Sequence, residues 1–268
     1  MTLSIAEGNA DRLRVVVMTC GDLGVEIAND LAKEPAVHVV GLITAPWPRF
    51  QSSLRKKIRQ ILRNQGWGGL LQVVASHLRP QPENSPTGDG SSLQPGIAHV
   101  HVADFHGVDA LEAIQRLRPD IGVLAGTYIL REVVFALPRL GCINLHSGKV
   151  PEYRGASPAF WELYNGEPTV GITVHRVSVA LDAGDVLCQE LFALDIAPAV
   201  DPMLYLEQYR RDVLRPNGIR ILTTVVRAIA AGTIISMPQE AGRARTYRTP
   251  DYKSIQELKR RVQRRRRE

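Results

Sequence analysis

Three polar residues within positions 141–190 have side chains suited to acyl transfer to an amine. Asn144 and His146 are separated by one leucine at the end of an apolar run, so on a strand both would point to the same face. Asp182 lies farther along, in a turn that ends in glycine. An amide can donate to a carbonyl oxygen as charge develops, and an imidazole or a carboxylate can accept the amine proton. Each residue alone would equally suit a turn or a loop, so the indication comes from all three together.

Alternating strand and helix patterns would position these side chains. Four apolar runs, at residues 13–19, 38–44, 121–125 and 141–145, are typical of strands buried on both faces of a sheet, and segments with helical spacing separate them. In such sheets ligands bind at the carboxyl ends of the strands, where the last run would present Asn144. The sequence therefore predicts an α/β fold with a doubly wound, mostly parallel, Rossmann-like sheet.

The second half of the chain is predicted to add antiparallel strands and helices. The runs at residues 170–176 and 185–191 lie too close together for a helical crossover, so we expect them to pair antiparallel around the turn that carries Asp182. Helical spacing predicts helices at residues 204–214 and 219–231. Shorter elements are predicted as a helix at residues 129–136 and an edge strand at residues 234–239.

Length and composition are those of an ordinary globular protein. The 268 residues are 44% hydrophobic and 22% charged, and we predict a catalytic domain over residues 1–200 and a small C-terminal helical extension with a basic tail over residues 201–268. No apolar run reaches the roughly 20 residues needed to span a bilayer, and the N-terminus lacks a signal-peptide pattern. We therefore expect a cytoplasmic protein that does not enter a membrane.

Much of the net charge of +6 lies in the basic run at residues 259–267. Such a run can attract nucleic acid, although a solvated helix end is the more ordinary interpretation. Nucleic acid is a partner that the sequence allows but does not favour.

The usual metal-binding residues are too scattered to predict a metal site. Cys20, Cys142 and Cys188 are too few and too far apart for a disulfide framework or a zinc cluster. His99 and His101 would share one strand face, but nothing nearby in the sequence supplies further ligands. We expect no metal.

The segments between the first strands carry weaker signals. Residues 52–64 and 70–77 predict amphipathic helices, and residues 79–96, rich in Pro, Gly and Ser, predict an exposed loop. The turn at residues 20–24 has two glycines but no GxGxxG pattern, which favours a simple tight turn over a phosphate-binding loop.

Four stretches, in their order and spacing, resemble the formyltransferases that use 10-formyltetrahydrofolate. They are PDIGVLAGTYIL at residues 119–130, GCINLHSGKVPEYRGASP at 141–158, NGEPTVGITVH at 165–175 and LDAGDVL at 181–187. The family includes enzymes that act on methionyl-tRNA, on glycinamide ribonucleotide and on sugar nucleotides. The resemblance implies formyl transfer from 10-formyltetrahydrofolate, as co-substrate, to a primary amine.

The resemblance also implies which residues form the site. Asn144, His146 and Asp182 match the family's catalytic set. We expect N–H groups of the first two to face the developing oxyanion, and Asp182 to hold the imidazole or a water and to accept the amine proton, directly or through that water. We expect His175 to lie at a strand end without a chemical role. The residues expected against the pterin ring of the folate are Leu124, Gly126, Thr127 and Tyr128 on one side, and Val179, Ala180 and Leu181 on the other.

The loop after the catalytic histidine departs from the family. Its members commonly have Pro-Ser-Leu-Leu-Pro there, whereas residues 147–151 of this chain are Ser-Gly-Lys-Val-Pro. Because this loop would line the cleft, the change bears on the acceptor. Lys149 and Arg154 flank the loop proline and could contact phosphates on the acceptor, or could belong to a solvated loop.

Several acceptors and activities fit this pattern. We favour an amino-sugar nucleotide, since about thirty residues follow Pro238 and methionyl-tRNA formyltransferases carry a sizeable C-terminal β-barrel. The alternatives are a methionyl-tRNA formyltransferase-like enzyme, a formyltetrahydrofolate hydrolase, and a folate-binding protein without catalysis. A homodimer is compatible with all of them.

Overall fold

The computed structural model describes residues 12–48, 92–197 and 200–264. The helices predicted at residues 52–64 and 70–77 lie outside the described residues, as do residues 79–91 of the predicted loop and the last four residues of the chain.

The strands and helices alternate along the first half of the chain, as expected. The strands are β1 (Leu13–Thr19), β2 (Val37–Thr44), β3 (Ala98–His101), β4 (Ile121–Ala125), β5 (Cys142–His146), β6 (Arg154–Gly155), β7 (Thr169–Arg176), β8 (Val186–Ala193) and β9 (Thr246–Tyr247). The helices are α1 (Leu23–Leu31), α2 (Val108–Leu117), α3 (Glu132–Phe135), α4 (Phe160–Asn165), α5 (Pro202–Tyr209), α6 (Arg215–Ala230) and α7 (Tyr252–Arg264), with a π-helical turn at Arg210–Leu214 and a 3-10 turn at Ala241–Arg243.

Seven of the strands form one sheet in the order β3-β2-β1-β4-β5-β7-β8. The strands β1 to β5 run parallel, while β7 pairs antiparallel with both β5 and β8. The chain crosses from one side of the sheet to the other between β3 and β4, which makes the sheet doubly wound. The predicted fold class and the antiparallel pair are therefore confirmed.

Both faces of the sheet are covered, which explains the continuous apolar runs. Along β1, Val15 and Val17 pack into the cluster beneath α1, α5 and α6, whereas Val16 and Met18 pack into the cluster on the α2 side. All four side chains are fully buried, and each contributes about 1.5–3 kcal/mol on burial.

The C-terminal residues pack into the same core. Leu206 on α5, Leu222 on α6 and Leu258 on α7 are buried in the cluster that also contains α1. The division of the chain at residue 200 stays a prediction.

Two predicted elements are shorter in the structure. The helix expected at residues 129–136 covers only Glu132–Phe135. The expected edge strand at 234–239 is reduced to a single bridge between Met237 and Val186, because Pro238 has no N–H with which to continue a ladder. Of the helices in the described ranges, none is both long and apolar enough to cross a membrane.

Candidate active site

The register of β5 against its neighbours sets the position of the first two site residues. Asn144 lies opposite Leu124 of β4 and opposite His175 of β7. His146 ends the same strand. The pairing therefore brings His175, which lies at the end of β7 as expected, into the site next to Asn144.

A tight turn after β7 carries Asp182 back to the end of β5. Gly184 packs against the carbonyl group of Arg176, where any Cβ would overlap that backbone. Asp182 itself has a positive φ of 48°, a conformation in which Asp is tolerated better than most residues. Steric constraints on the backbone therefore favour both the aspartate and the glycine of the Asp-x-Gly pattern.

Four side chains meet at this point. His146 Nδ1 lies 3.7 Å from Asp182 Oδ2, and His175 Nε2 lies 3.5 Å from Asp182 Oδ1. Asn144 Nδ2 lies 3.2 Å from His175 Nε2, and the backbone N–H of Gly155 donates to Asp182 Oδ2 over 2.8 Å. The structure thus brings the three predicted catalytic residues together around a largely buried carboxylate.

Backbone carbonyl groups fix the proton positions on the two histidines. His146 Nε2 lies 2.8 Å from the Tyr153 carbonyl oxygen, and His175 Nδ1 lies 2.8 Å from the Arg176 carbonyl oxygen, so both nitrogens must donate. In the neutral forms, His175 Nε2 then accepts from Asn144, and His146 Nδ1 presents a lone pair towards Asp182. No ring N–H of neutral His146 is left for an oxyanion, contrary to the role expected from the sequence.

Burial and charge set the protonation of this cluster. Burial alone would raise the pKa of Asp182, but a hydrogen bond from His175 in its protonated form, the charge of protonated His146 and the Gly155 N–H together hold the pKa below its usual value. Burial lowers the pKa of His146, against the opposing effect of the Asp182 charge. Near neutral pH the site therefore combines a carboxylate with a neutral imidazole, and both can accept a proton.

A cleft of about 90 Å³ opens on one side of the cluster. We call it the wide cleft. Five of the seven residues expected against the pterin ring line it, and Gly126 and Ala180 do not. Its lining is Leu124, Thr127, Tyr128, Ile129, Leu130, Asn144, His175, Val177, Ser178, Val179, Leu181 and Asp182.

The rim of the wide cleft is apolar and exposed. Val179 and Ile129 are 78% and 67% exposed, and Leu181 is 37% exposed. Clustered exposed apolar side chains mark a surface that binds a ligand or partner. The wide cleft therefore offers an apolar surface to a ligand.

A second, narrow pocket lies on the other side of the cluster. It has room for one group about the size of a water molecule. The residues that line it include His146, Tyr153, Arg154, Trp161, Glu162 and Tyr247. His146 and Asp182 thus stand between the wide cleft and the narrow pocket.

The C-terminal segment forms part of this second pocket. Tyr247 of β9 pairs with Gly155 of β6 and stacks on Tyr153 at a ring-centroid distance of 5.3 Å. Gly155 has a φ of 95°, and a Cβ there would overlap the Tyr247 carbonyl. Sequence reasoning missed this contact because the two-residue strands β6 and β9 leave no periodic pattern.

Hydrogen bonds of Gln239 connect the turn that carries Asp182 to the loop that carries Arg154. Its Nε2 donates to the carbonyl oxygens of Asp182 (2.9 Å) and Gly184 (2.7 Å). Its Oε1 accepts from Arg154 Nη2 at 2.6 Å. Gln239 therefore holds Asp182 in place without contacting the reacting groups.

Replacing Gln239 with leucine is expected to lower kcat about tenfold, because two turn carbonyl groups and Arg154 each lose a hydrogen bond worth about 0.5–1.5 kcal/mol. Steady-state kinetics across pH would test this, since a displaced Asp182 also moves the pH profile. Glu240→Ala, at the exposed neighbouring position, is the control. If kcat and its pH profile are unchanged in Gln239→Leu, Gln239 does not position Asp182.

Glu162 is a buried acid in the narrow pocket. It is 2% exposed, and its Oε1 makes no hydrogen bond with the described residues. Burial raises the pKa of Glu162 to about 7, despite hydrogen bonds from its own backbone and that of Lys149. The charged form is therefore costly in the folded protein.

Glu162→Gln is expected to change how stability depends on pH. Because the pKa is raised on folding, the wild-type side chain costs nothing below about pH 4.5 and destabilises the fold increasingly as pH rises through about 7. A pKa raised from 4.5 to about 7 corresponds to about 3 kcal/mol. We expect denaturant unfolding at about pH 4.5 and about pH 7 to show that the free energy of unfolding of the variant rises relative to that of the wild type as pH rises. A difference between the two proteins that is the same at both pH values would contradict the burial argument.

The two basic residues expected to meet phosphate already have partners within the chain. Lys149 Nζ lies 3.5 Å from Glu167 Oε2, and Arg154 pairs with Gln239. Arg154 lines the narrow pocket, whereas Lys149 lines neither the pocket nor the wide cleft.

Comparisons with known proteins agree with this fold. Residues 97–225, which include β3 to β8 and all four clustered side chains, match the family described as formyl transferase. This part of the chain is therefore similar to that family.

Individual proteins extend this finding. The methionyl-tRNA formyltransferase of Geobacter metallireducens is 33% identical over 172 residues, covering 60% of this chain and 52% of that protein. The chain spans about half the length of this protein and of the methionyl-tRNA formyltransferase of Thermotoga maritima, which is 32% identical over 176 residues.

Two solved structures share the fold. HypX from Aquifex aeolicus in complex with tetrahydrofolic acid has a TM-score of 0.56 and 13% identity, covering 91% of this chain and 31% of that chain. A sugar N-formyltransferase from a Shewanella species has a TM-score of 0.55 and 12% identity, covering 92% of this chain and 86% of that chain. At these identities the likeness concerns the fold.

Proposed function

We propose that this chain transfers the formyl group of 10-formyltetrahydrofolate to a primary amine carried by an amino-sugar nucleotide. The observation that carries the proposal is the position of Asn144, His146 and Asp182 between the wide cleft and the narrow pocket. A donor on one side and an amine on the other would then meet at groups that can polarise a carbonyl and accept a proton.

The wide cleft suits the folate. Its apolar rim would pack on the pterin ring, which otherwise exposes a large flat surface to water. The proposed contacts are Leu124, Gly126, Thr127, Tyr128, Val179, Ala180 and Leu181, of which Gly126 and Ala180 would contribute backbone. In support, the solved relative with this fold is a complex with tetrahydrofolic acid.

The chemistry follows from the proton positions. The amine nitrogen attacks the formyl carbon, the carbonyl electron pair moves to oxygen, and the second Nδ2–H of Asn144 stabilises the oxyanion, an interaction worth around 3 kcal/mol. The nitrogen's proton passes to His146 Nδ1, where the Asp182 charge stabilises the imidazolium. Collapse restores the carbonyl, breaks the bond to N10 of the folate and returns the proton to N10.

The acceptor is the finer part of the proposal. The amino-sugar nucleotide is favoured because the solved sugar N-formyltransferase is covered over 86% of its length. Arg154 beside the narrow pocket, and Lys149 on the same loop, are the proposed contacts for its phosphates. The second candidate acceptor is methionyl-tRNA, favoured by the curated relatives and by the basic helix α7.

One incubation separates these functions. The chain is given 10-formyltetrahydrofolate alone, with a panel of amino-sugar nucleotides, or with methionyl-tRNA, and tetrahydrofolate and formylated product are measured. We expect release of tetrahydrofolate only with an amino-sugar nucleotide. Release without an amine would indicate a hydrolase, product only from methionyl-tRNA would change the acceptor, and no release would refute transfer.

A further inference from the structure

Glu162 has no role in the chemistry above, yet it lines the narrow pocket beside His146. It is 2% exposed, and in the described part of the chain no group donates to its Oε1. Leaving a buried carboxylate oxygen without a donor is costly. The arrangement therefore favours a ligand that brings an N–H or O–H group to this oxygen.

The charged groups nearest Glu162 do not pair with it. The Lys149 and Glu167 side chains contact each other and act on Glu162 only through their charge, while the Lys149 backbone N–H donates a hydrogen bond to it. Arg210, at the π-helical turn, donates its Nε–H to the Pro158 carbonyl oxygen at 3.0 Å. Among the described residues, no cation lies within salt-bridge distance of the Glu162 carboxyl. Arg154, which lines the same pocket, pairs with Gln239 instead, so a donor with a positive charge is the group that Glu162 Oε1 lacks.

The size of the pocket narrows the choice of ligand. A group no larger than a water molecule fits, which excludes a guanidinium, a sugar ring or a phosphate. Trp161 and Tyr247, with ring centroids 5.1 Å apart, form an aromatic side of the pocket, and aromatic rings tolerate a neighbouring cation. An ammonium nitrogen meets the requirements of size, charge and N–H donors.

We propose that the narrow pocket binds the primary ammonium group of the acceptor and that Glu162 is its counter-charge. The catalytic part of this inference rests on the proposed function, whereas the binding of an ammonium group does not. Because His146 lines the same pocket, an amine held there lies next to the group that accepts its later proton.

Glu162 then supplies the first of two proton transfers. An ammonium has no lone pair, so one N–H bond must break before attack, and that proton forms an O–H bond with Glu162 Oε1. The nitrogen regains its electron pair and attacks the formyl carbon. The second proton goes to His146 Nδ1, as above. A pKa of about 7 for the Glu162 carboxyl suits a group that takes up a proton near neutral pH.

The binding step can be tested without knowing the whole acceptor. Thermal unfolding of the full chain is measured at about pH 8, where Glu162 is charged, in methylammonium chloride and in tetramethylammonium chloride at equal concentration. The second cation has the same charge but no N–H group and is too large for the pocket. We expect the wild type to have a Tm higher by about 2–4 °C in methylammonium.

Two variants make the result specific. Glu162→Gln, which keeps the shape and removes the charge, should show no difference between the two cations. Glu207→Gln, which removes an exposed carboxylate that also acts on Arg210, should behave as the wild type. Equal Tm values in the two cations for the wild type, or an undiminished difference in Glu162→Gln, would overturn the proposal.

Kinetics then separate this inference from the proposed function. With the amino-sugar nucleotide that accepts formyl, Glu162→Gln should lower kcat/KM about tenfold or more and flatten the rise of rate near neutral pH. Unaltered kcat/KM would leave formyl transfer standing and remove Glu162 from it. If methylammonium raises the Tm but the chain releases no tetrahydrofolate with any amine, the ammonium site is supported and the proposed formyl transfer is refuted.

Discussion

Replacing His146 with alanine is expected to lower kcat for formyl transfer by about 100-fold to 10,000-fold, the range for loss of a positioned proton acceptor. The imidazole stands between the wide cleft and the narrow pocket and presents a lone pair on Nδ1 beside the Asp182 carboxylate. Without it, the proton that leaves the attacking nitrogen has only Asp182 to receive it. Steady-state kinetics with 10-formyltetrahydrofolate and the accepted amine measure the effect.

The fold should survive this substitution. The lost hydrogen bond from His146 Nε2 to the Tyr153 carbonyl costs about 1–3 kcal/mol, less than the usual stability of a domain. His99→Ala, on the edge strand β3, is the matched control and should retain full activity. A His146→Ala variant that keeps more than about a tenth of the wild-type kcat would exclude His146 as the proton acceptor.

The second large effect is expected for Asp182→Asn. Asparagine tolerates the positive φ at this position and its amide oxygen can still accept from the Gly155 N–H, so the turn should hold. The negative charge is lost, however, and the imidazolium formed on His146 is no longer stabilised. We expect kcat to fall by about 100-fold or more.

The pH profile adds a signature that a merely disrupted turn would not give. The Asp182 charge raises the pKa of His146 against the effect of burial. Removing that charge lowers the pKa further, so the acidic limb of the residual activity should move to lower pH. Asp185→Asn, in the same turn but exposed, should leave both kcat and the limb in place. If the acidic limb of the pH profile stays at the same pH in Asp182→Asn, the Asp182 charge does not act on the pKa of His146.

Local pattern was sufficient to predict the sheet, and the resemblance to a known family implied the convergence of Asn144, His146 and Asp182. The strands are apolar on both faces, and an Asp-x-Gly turn next to a close-packed strand end has few other conformations. The role of His175 could not be read in this way. Its contact with Asn144 depends on the antiparallel register of β7 against β5, and a shift by one residue would have turned its side chain to the other face.

The narrow pocket was beyond sequence reasoning for a different reason. Its lining joins Glu162 on a six-residue helix to Tyr247 near the end of the chain. Gln239 likewise contacts the Asp182 turn from more than fifty residues away. Such contacts arise from tertiary packing of short elements, which leave no periodicity in the sequence. A glutamate within an otherwise apolar, aromatic helix segment was the one available sign.

A crystal structure of the chain with 5-formyltetrahydrofolate, a stable isomer of the donor, tests the central claim most directly. We expect the pterin ring in the wide cleft between Tyr128 and Leu181, with N10 and the formyl group on the side facing Asn144, His146 and Asp182. A folate bound elsewhere, or bound in the wide cleft with its formyl-bearing end turned away from these three side chains, would contradict the account.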